Sequence, residues 1–242
     1  MDGMRSTSRL IGLLGGMSWE SSALYYRGLN ERVQKKLGKH HNARSILITL
    51  DYEELLSLAS AGRWEEVGDV LHDAARRVTT AGAEFLLITA TTGHAVAGRV
   101  ETGLGVPLLH LADPTAEAIR QAGLSRVGLL GTRFTMEMDF FTARLRDRHG
   151  LEVLVPDAAE RAALHRIIVE ELTLGIVRAS SKQVVQAISD ALVRKGAEGI
   201  IVGCTELPML LDKDDYPAPT FDTLQLHMDA AADAALSETL CS

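Results

Sequence analysis

The chain repeats itself, and this constrains its fold more than any single motif does. Gly12-Leu13-Leu14-Gly15 recurs as Gly128-Leu129-Leu130-Gly131, an offset of 128 − 12 = 116. Gly82-Ala83-Glu84, followed by an apolar run, recurs as Gly196-Ala197-Glu198 followed by another, an offset of 196 − 82 = 114. Two matches at nearly equal offsets imply two related halves. Short apolar runs alternate with helical stretches along the chain, which predicts an α/β protein. The expected architecture is two pseudo-symmetric three-layer α/β/α halves with mainly parallel sheets. The first half is expected over 9–113, completed by a returning C-terminal helix 222–242, and the second over 114–221.

In the first half, strands are expected at Arg9–Leu14, Ser45–Leu50, Phe85–Thr89 and Pro107–Leu111. Helices are expected from about Trp19 to Leu37, over Tyr52–Ala61 and Trp64–Thr80, and after His94. Val67, Val70, Leu71, Ala74 and Val78 give the second of the middle pair its apolar face. Asp113 is expected to cap the next helix, with Pro114 in its first turn. In the second half, strands are expected at Arg126–Leu130, Leu151–Val155, in the run before Cys204, and at Pro217–Phe221. Helices are expected over Ala158–Leu174 and Ser181–Lys195, and from Leu224 behind Asp222-Thr223.

The run Gly199-Ile200-Ile201-Val202 stops abruptly at Gly203-Cys204-Thr205-Glu206. It reads as a buried strand presenting a thiol, a hydroxyl and a carboxylate at its C-terminal end, where open α/β sheets bind ligands. The repeat aligns Thr89-Ala90-Thr91-Thr92 with these four residues, so two strand ends are expected across a cleft, one with a thiol and the other with a methyl group. A strand end next to a helix N-terminus or a cation lowers a thiol pKa, so Cys204 is expected to be partly activated. His165 is the candidate cation. Glu206 fits either of two roles, orienting a base or starting a helix.

Thr91, Thr92, Thr132, Thr135 and Thr205 all fall at or just beyond expected strand ends, where hydroxyls hold anionic oxygens. Each alone reads equally well as a helix cap. The turn Gly15-Gly16-Met17-Ser18 lets backbone approach a ligand, but matches neither a dinucleotide nor a Walker pattern. Trp19, Tyr25 and Tyr26 read as wall or core residues. The charge runs Arg144–His149 and Lys213–Asp215 read as solvated surface. No zinc spacing occurs among the histidines, so no metal site is expected.

A net charge of −7 argues against nucleic-acid or anionic-membrane partners. The polar start Met1–Arg9 lacks the apolar core of a signal peptide, so none is expected; no apolar run is long enough to span a bilayer, and Cys204 and Cys241 give no disulfide framework. A cytoplasmic enzyme with a small-molecule substrate is expected.

Leu10–Leu236 resembles the aspartate/glutamate racemase family, on three motifs: Gly12-Leu13-Leu14-Gly15-Gly16-Met17-Ser18-Trp19-Glu20-Ser21, Gly128-Leu129-Leu130-Gly131-Thr132-Arg133-Phe134-Thr135-Met136-Glu137 and Gly203-Cys204-Thr205-Glu206. The resemblance implies an active site in the cleft between the halves, with neither pyridoxal phosphate nor a metal, and homodimers are common in the family. It implies two acid/base groups, one on each side of the substrate α-carbon. The second falls on Cys204, with Thr205 as a carboxylate contact. Met17, Ser18, Thr132 and Thr135 fall on substrate-contacting turns.

The family's first catalytic stretch, Cys-Asn-Thr or Thr-Asn-Thr before a residue and a His, falls on Ala90-Thr91-Thr92-Gly93-His94. Alanine carries no proton. Inversion at a small acidic amino acid would then need Thr89, Thr91 or a water held by Thr91 and Thr92. The other readings are a single-cysteine decarboxylase or isomerase of a related dicarboxylic acid, an inactivated racemase, or a non-catalytic dicarboxylate-binding protein.

Overall fold

The computed structural model describes residues 8–237, so Cys241, most of Met1–Arg9 and the end of the expected 222–242 helix lie outside it. The chain forms two units, one holding the chain up to His110 and from His227 onward, the other Leu111–Leu226.

In the first unit, β1 (Ile11–Gly15) leads to α1 (Trp19–Leu37), β2 (Ser45–Thr49), α2 (Tyr52–Ser60), α3 (Trp64–Thr80) and β3 (Phe85–Ile88). A 3₁₀ turn, Thr92–Val96, precedes α4 (Ala97–Glu101). The three strands are parallel, in the order β2-β1-β3. β1 and β3 are buried throughout, as strands covered on both faces must be.

The second unit begins with α5 (Ala112–Gln121), β4 (Arg126–Leu130), α6 (Arg133–Glu137), α7 (Asp139–His149) and β5 (Glu152–Leu154). There follow α8 (Ala158–Glu170), α9 (Ala179–Arg194), β6 (Gly199–Val202), β7 (Thr220–Asp222) and α10 (Thr223–Leu236). Its sheet is parallel, in the order β5-β4-β6-β7.

The repeat reaches the level of single bonds. Ile11 pairs with Phe85 and Val127 with Gly199, the same register counted from either Gly-Ala-Glu. Glu84 N–H donates to the Leu10 carbonyl and Glu198 N–H to the Arg126 carbonyl, both at 2.8 Å. Each carboxylate returns to the opening strand: Glu84 accepts the Leu10 N–H at 2.5 Å, and Glu198 accepts the Ser125 and Arg126 N–H groups at 2.9 Å. The motif glutamates therefore fasten a strand start in each unit.

The expected fourth strand at Pro107–Leu111 is a single bridge, Leu86 with Leu108. The pattern is nevertheless shared, because Leu86 N–H donates to the Pro107 carbonyl at 2.9 Å and Ile200 N–H to the Pro219 carbonyl at 2.8 Å. In the second unit the pairing extends into β7, whereas in the first the chain has turned into α5 by Ala112. The units also exchange helices. α5 follows the first unit's last pairing but belongs to the second, and α10 follows β7 but from His227 onward belongs to the first.

Other expectations need correction. α8 ends at Glu170, with only a 3₁₀ turn over Leu172–Leu174. Asp113 does not cap α5. It accepts Arg144 Nε and Nη2 at 2.7 and 2.6 Å and lies 3.0 Å from His149 Nε2, so the two ends of that charge run are structural, while Arg146, Asp147 and Arg148 are exposed as expected. Likewise Asp215 closes a capping box with Asp212 and binds Lys182 at 2.7 Å. Trp19 and Tyr26 are 67% and 54% exposed, whereas Tyr25 is buried. No helix among the described residues is long and apolar enough to cross a membrane.

Candidate functional site

β6 ends at Val202, and Gly203 lets the chain turn where a Cβ would lie 2.9 Å from Leu129 Cδ1 and from the Leu130 carbonyl oxygen. Cys204 follows, 8% exposed. Its thiol donates to Glu206 Oε2 at 3.0 Å, and the Thr205 hydroxyl donates to the same oxygen at 2.8 Å. Glu206 precedes the 3₁₀ turn Leu207–Met209 but makes no side-chain cap to it, so its carboxylate serves the sulfur rather than a helix start.

This environment corrects the expected activation of Cys204. Burial pushes its pKa well above the ordinary thiol value, the Glu206 charge and hydrogen bond push it further, and the N–H groups of Glu206 and Thr205 pull weakly the other way. His165 supplies no cation. Its Nδ1 accepts the Arg133 N–H at 3.3 Å, and partial burial with the Arg133 charge lowers its pKa, so it is neutral near pH 7.

At the β4 turn, Thr132 caps α6 by accepting the Thr135 N–H at 3.3 Å. Thr135 itself is fully buried against Gly131, its hydroxyl 3.2 Å from that of Thr132. It supports the turn and offers no surface to a ligand; the half-buried Thr132 and Thr205 do.

In the first unit, Ser18 caps α1 by accepting the Ser21 N–H at 3.3 Å, and Met17 is half-buried beside Gly93. β3 ends at Ile88, so strand alternation does not govern Ala90 or Thr91, and Thr91 has helical dihedrals. Thr89 is fully buried, its hydroxyl 3.0 Å from Ser22 Oγ and 3.3 Å from the Leu14 carbonyl oxygen. That hydroxyl is thus engaged inside the unit and closed to solvent. Thr91 is 7% exposed, and Thr92 half-buried.

His94 and His110 are buried together with His227, which the sequence reading missed. His94 Nδ1 lies 3.0 Å from the Ala90 carbonyl oxygen, and the His94 ring contacts those of His110 and His227 at centroid distances of 4.6 and 5.8 Å. His227 Nε2 is 2.8 Å from the Leu109 carbonyl oxygen, which makes it the donor, so its Nδ1 accepts the Tyr25 hydroxyl at 2.7 Å. Burial, then the charges of His110 and His227, hold His94 well below its ordinary pKa. Among the described residues no group of three or more His, Cys, Asp or Glu is arranged to hold a metal ion.

The Asp/Glu/hydantoin racemase family model matches residues 14–231. The structure resembles a candidate Asp/Glu racemase from Yersinia pestis, 44% identical over 95% of this chain and 100% of that one, with a TM-score of 0.89. It also resembles an aspartate racemase homologue from Pyrococcus horikoshii, 34% identical over 94% and 99%, with a TM-score of 0.80. A broad specificity amino-acid racemase of Bacillus subtilis, RacX, is 24% identical over 88% of this chain and 92% of its own. The chain belongs to the Asp/Glu/hydantoin racemase family.

Proposed function

We propose that the protein is a cofactor-independent amino-acid racemase acting at the α-carbon of a small acidic amino acid, aspartate or glutamate. Cys204 is the acid/base on one face of that carbon, Thr91 or a water held by Thr91 and Thr92 exchanges the proton on the other, and Thr205 and Thr132 are carboxylate contacts. Met17, Ser18, Thr91 and Thr92 complete the substrate contacts. The observation that carries this reading is the single thiol at the end of β6, hydrogen-bonded to a buried carboxylate. A thiol so placed gives a proton to carbon, and the thiolate it leaves takes one, without a cofactor.

Single enantiomers of aspartate and glutamate in D₂O test it. The expected result is α-deuteration with inversion, lost in Cys204→Ala. Retained configuration in every deuterated product, or no deuteration at all, overturns it.

Ala90 and the engaged Thr89 hydroxyl favour a second reading, in which Cys204 works alone from one face. A dicarboxylic acid of the malonate class would lose CO₂, the pair of the broken C–C bond staying on the α-carbon, and Cys204 would protonate that carbanion. Under this reading, Ala90→Cys creates racemisation of aspartate or glutamate that the parent lacks. Equal inversion by parent and variant rules it out.

A further inference from the structure

The reaction assigned above requires a sulfur of defined protonation, and neither the family model nor the relatives say what defines it. The decisive contact is Cys204 Sγ to Glu206 Oε2 at 3.0 Å, between two side chains each 8% exposed. An ionised carboxylate only accepts hydrogen bonds, so this contact exists while the proton sits on sulfur. The same oxygen holds the Thr205 hydroxyl at 2.8 Å, which fixes the carboxylate rotamer from a second side. Glu206 is not consumed by a helix cap.

We propose that Glu206 is the positioning residue that keeps Cys204 in its thiol form at neutral pH, so that the sulfur first meets a substrate as a proton donor. In that step the substrate α-carbon first gives its proton to a water held by Thr91 and Thr92 and keeps the Cα–H electron pair; the carbanion then takes the thiol proton, so that a C–H bond forms, the S–H bond breaks and its electron pair stays on sulfur. The Thr205 and Glu206 N–H groups then face the thiolate, and solvent restores its proton. The opposite outcome, a resting thiolate, would place two negative charges 3.0 Å apart at a site shielded from water.

Tyr216 is a further titratable group beside Cys204. Burial first, then the charges of Asp222, Asp215 and Cys204, raise its pKa, so its hydroxyl is neutral and adds no charge. After burial, the Glu206 charge and hydrogen bond are what raise the thiol pKa.

The proposal rests on Cys204 as the working sulfur, but its test needs no substrate. Cys241 is the only other cysteine, so Cys241→Ser leaves a single thiol to follow. Iodoacetamide alkylation of the full chain is measured against pH with and without Glu206→Gln, which keeps the side-chain size and an acceptor for Thr205. The parent midpoint is expected above the ordinary thiol value of about 8.5. Glu206→Gln is expected to lower it by about one pH unit or more, making alkylation near neutral pH about tenfold faster. The basic limb of the pH–rate profile for α-deuteration is expected to move with it.

Superimposable alkylation profiles for parent and Glu206→Gln overturn the proposal. If Glu206→Gln fails to fold by circular dichroism, the ¹³Cβ titration of Cys204 in the parent decides instead. A parent midpoint above the ordinary value that falls when Glu206→Asp draws the carboxylate back from the sulfur supports the proposal; a midpoint at or below the ordinary value, or one unchanged in Glu206→Asp, overturns it. A shifted alkylation profile without turnover of any acidic amino acid would sink the racemase reading and leave the Cys204–Glu206 coupling standing.

Discussion

At Gly128 an added methyl group would lie 2.9 Å from Leu192 Cδ1 and 3.0 Å from Ile200 Cδ1. At Gly12 it would meet the equivalent pair, Val78 Cγ2 at 2.9 Å and Leu86 Cδ2 at 2.8 Å. These neighbours stand four residues before and after the glycine of Gly-Ala-Glu in each copy. Gly128→Ala is therefore predicted to destabilise the fold by about 1–3 kcal/mol through overpacking, read as a lower urea midpoint at unchanged m-value. The repeated glycines were legible in the sequence because close packing between strand and helix leaves few substitutes. Cys204 and Ala90 were legible through the same alignment. The role of Glu206 was not, because a carboxylate two residues after a strand-end thiol has the same spacing whether it turns to the sulfur or to a helix. Only the side-chain direction separates the two cases.

Among the elements, those with strong local signals appear where the sequence puts them. α8 starts on a capping box: Asp157 accepts the Glu160 N–H, and Glu160 accepts the Asp157 N–H, both at 2.9 Å. Asp157→Ala is predicted to cost about 1 kcal/mol, visible as a lower thermal midpoint, whereas Asp157→Ser is predicted to retain most of that stability. Elements defined by distant partners were harder to read. Whether Pro107–Leu111 becomes a strand depends on how much of it faces Leu86 before the helix begins, which composition does not encode. His227 was missed for a related reason: its acceptor, the Leu109 carbonyl, is 118 positions away.

For the molecule as a whole, the buried imidazoles set an acid limit. Unfolded His94 takes up a proton near pH 6.5, while folded His94, held well below that value by burial and by His110 and His227, stays neutral. Its contribution is fully present above pH 6.5 and is lost as pH falls below it, at no more than about 1.4 kcal/mol per pH unit for one group. Urea midpoints at about pH 7.5 and about pH 5.5 are predicted to fall more in the parent than in His94→Gln; equal slopes would show that His94 takes no part.

The exchange of α5 and α10 between units has a consequence for synthesis. Every residue of the unit Leu111–Leu226 has been translated before the ribosome reaches His227. The other unit, although it begins first, then still lacks His227 for Tyr25 and Leu109, and Asp229 for Arg32. The half that starts earliest is thus closed last, and a nascent chain stalled at Leu226 carries one complete unit and one with its aromatic–imidazole seam open.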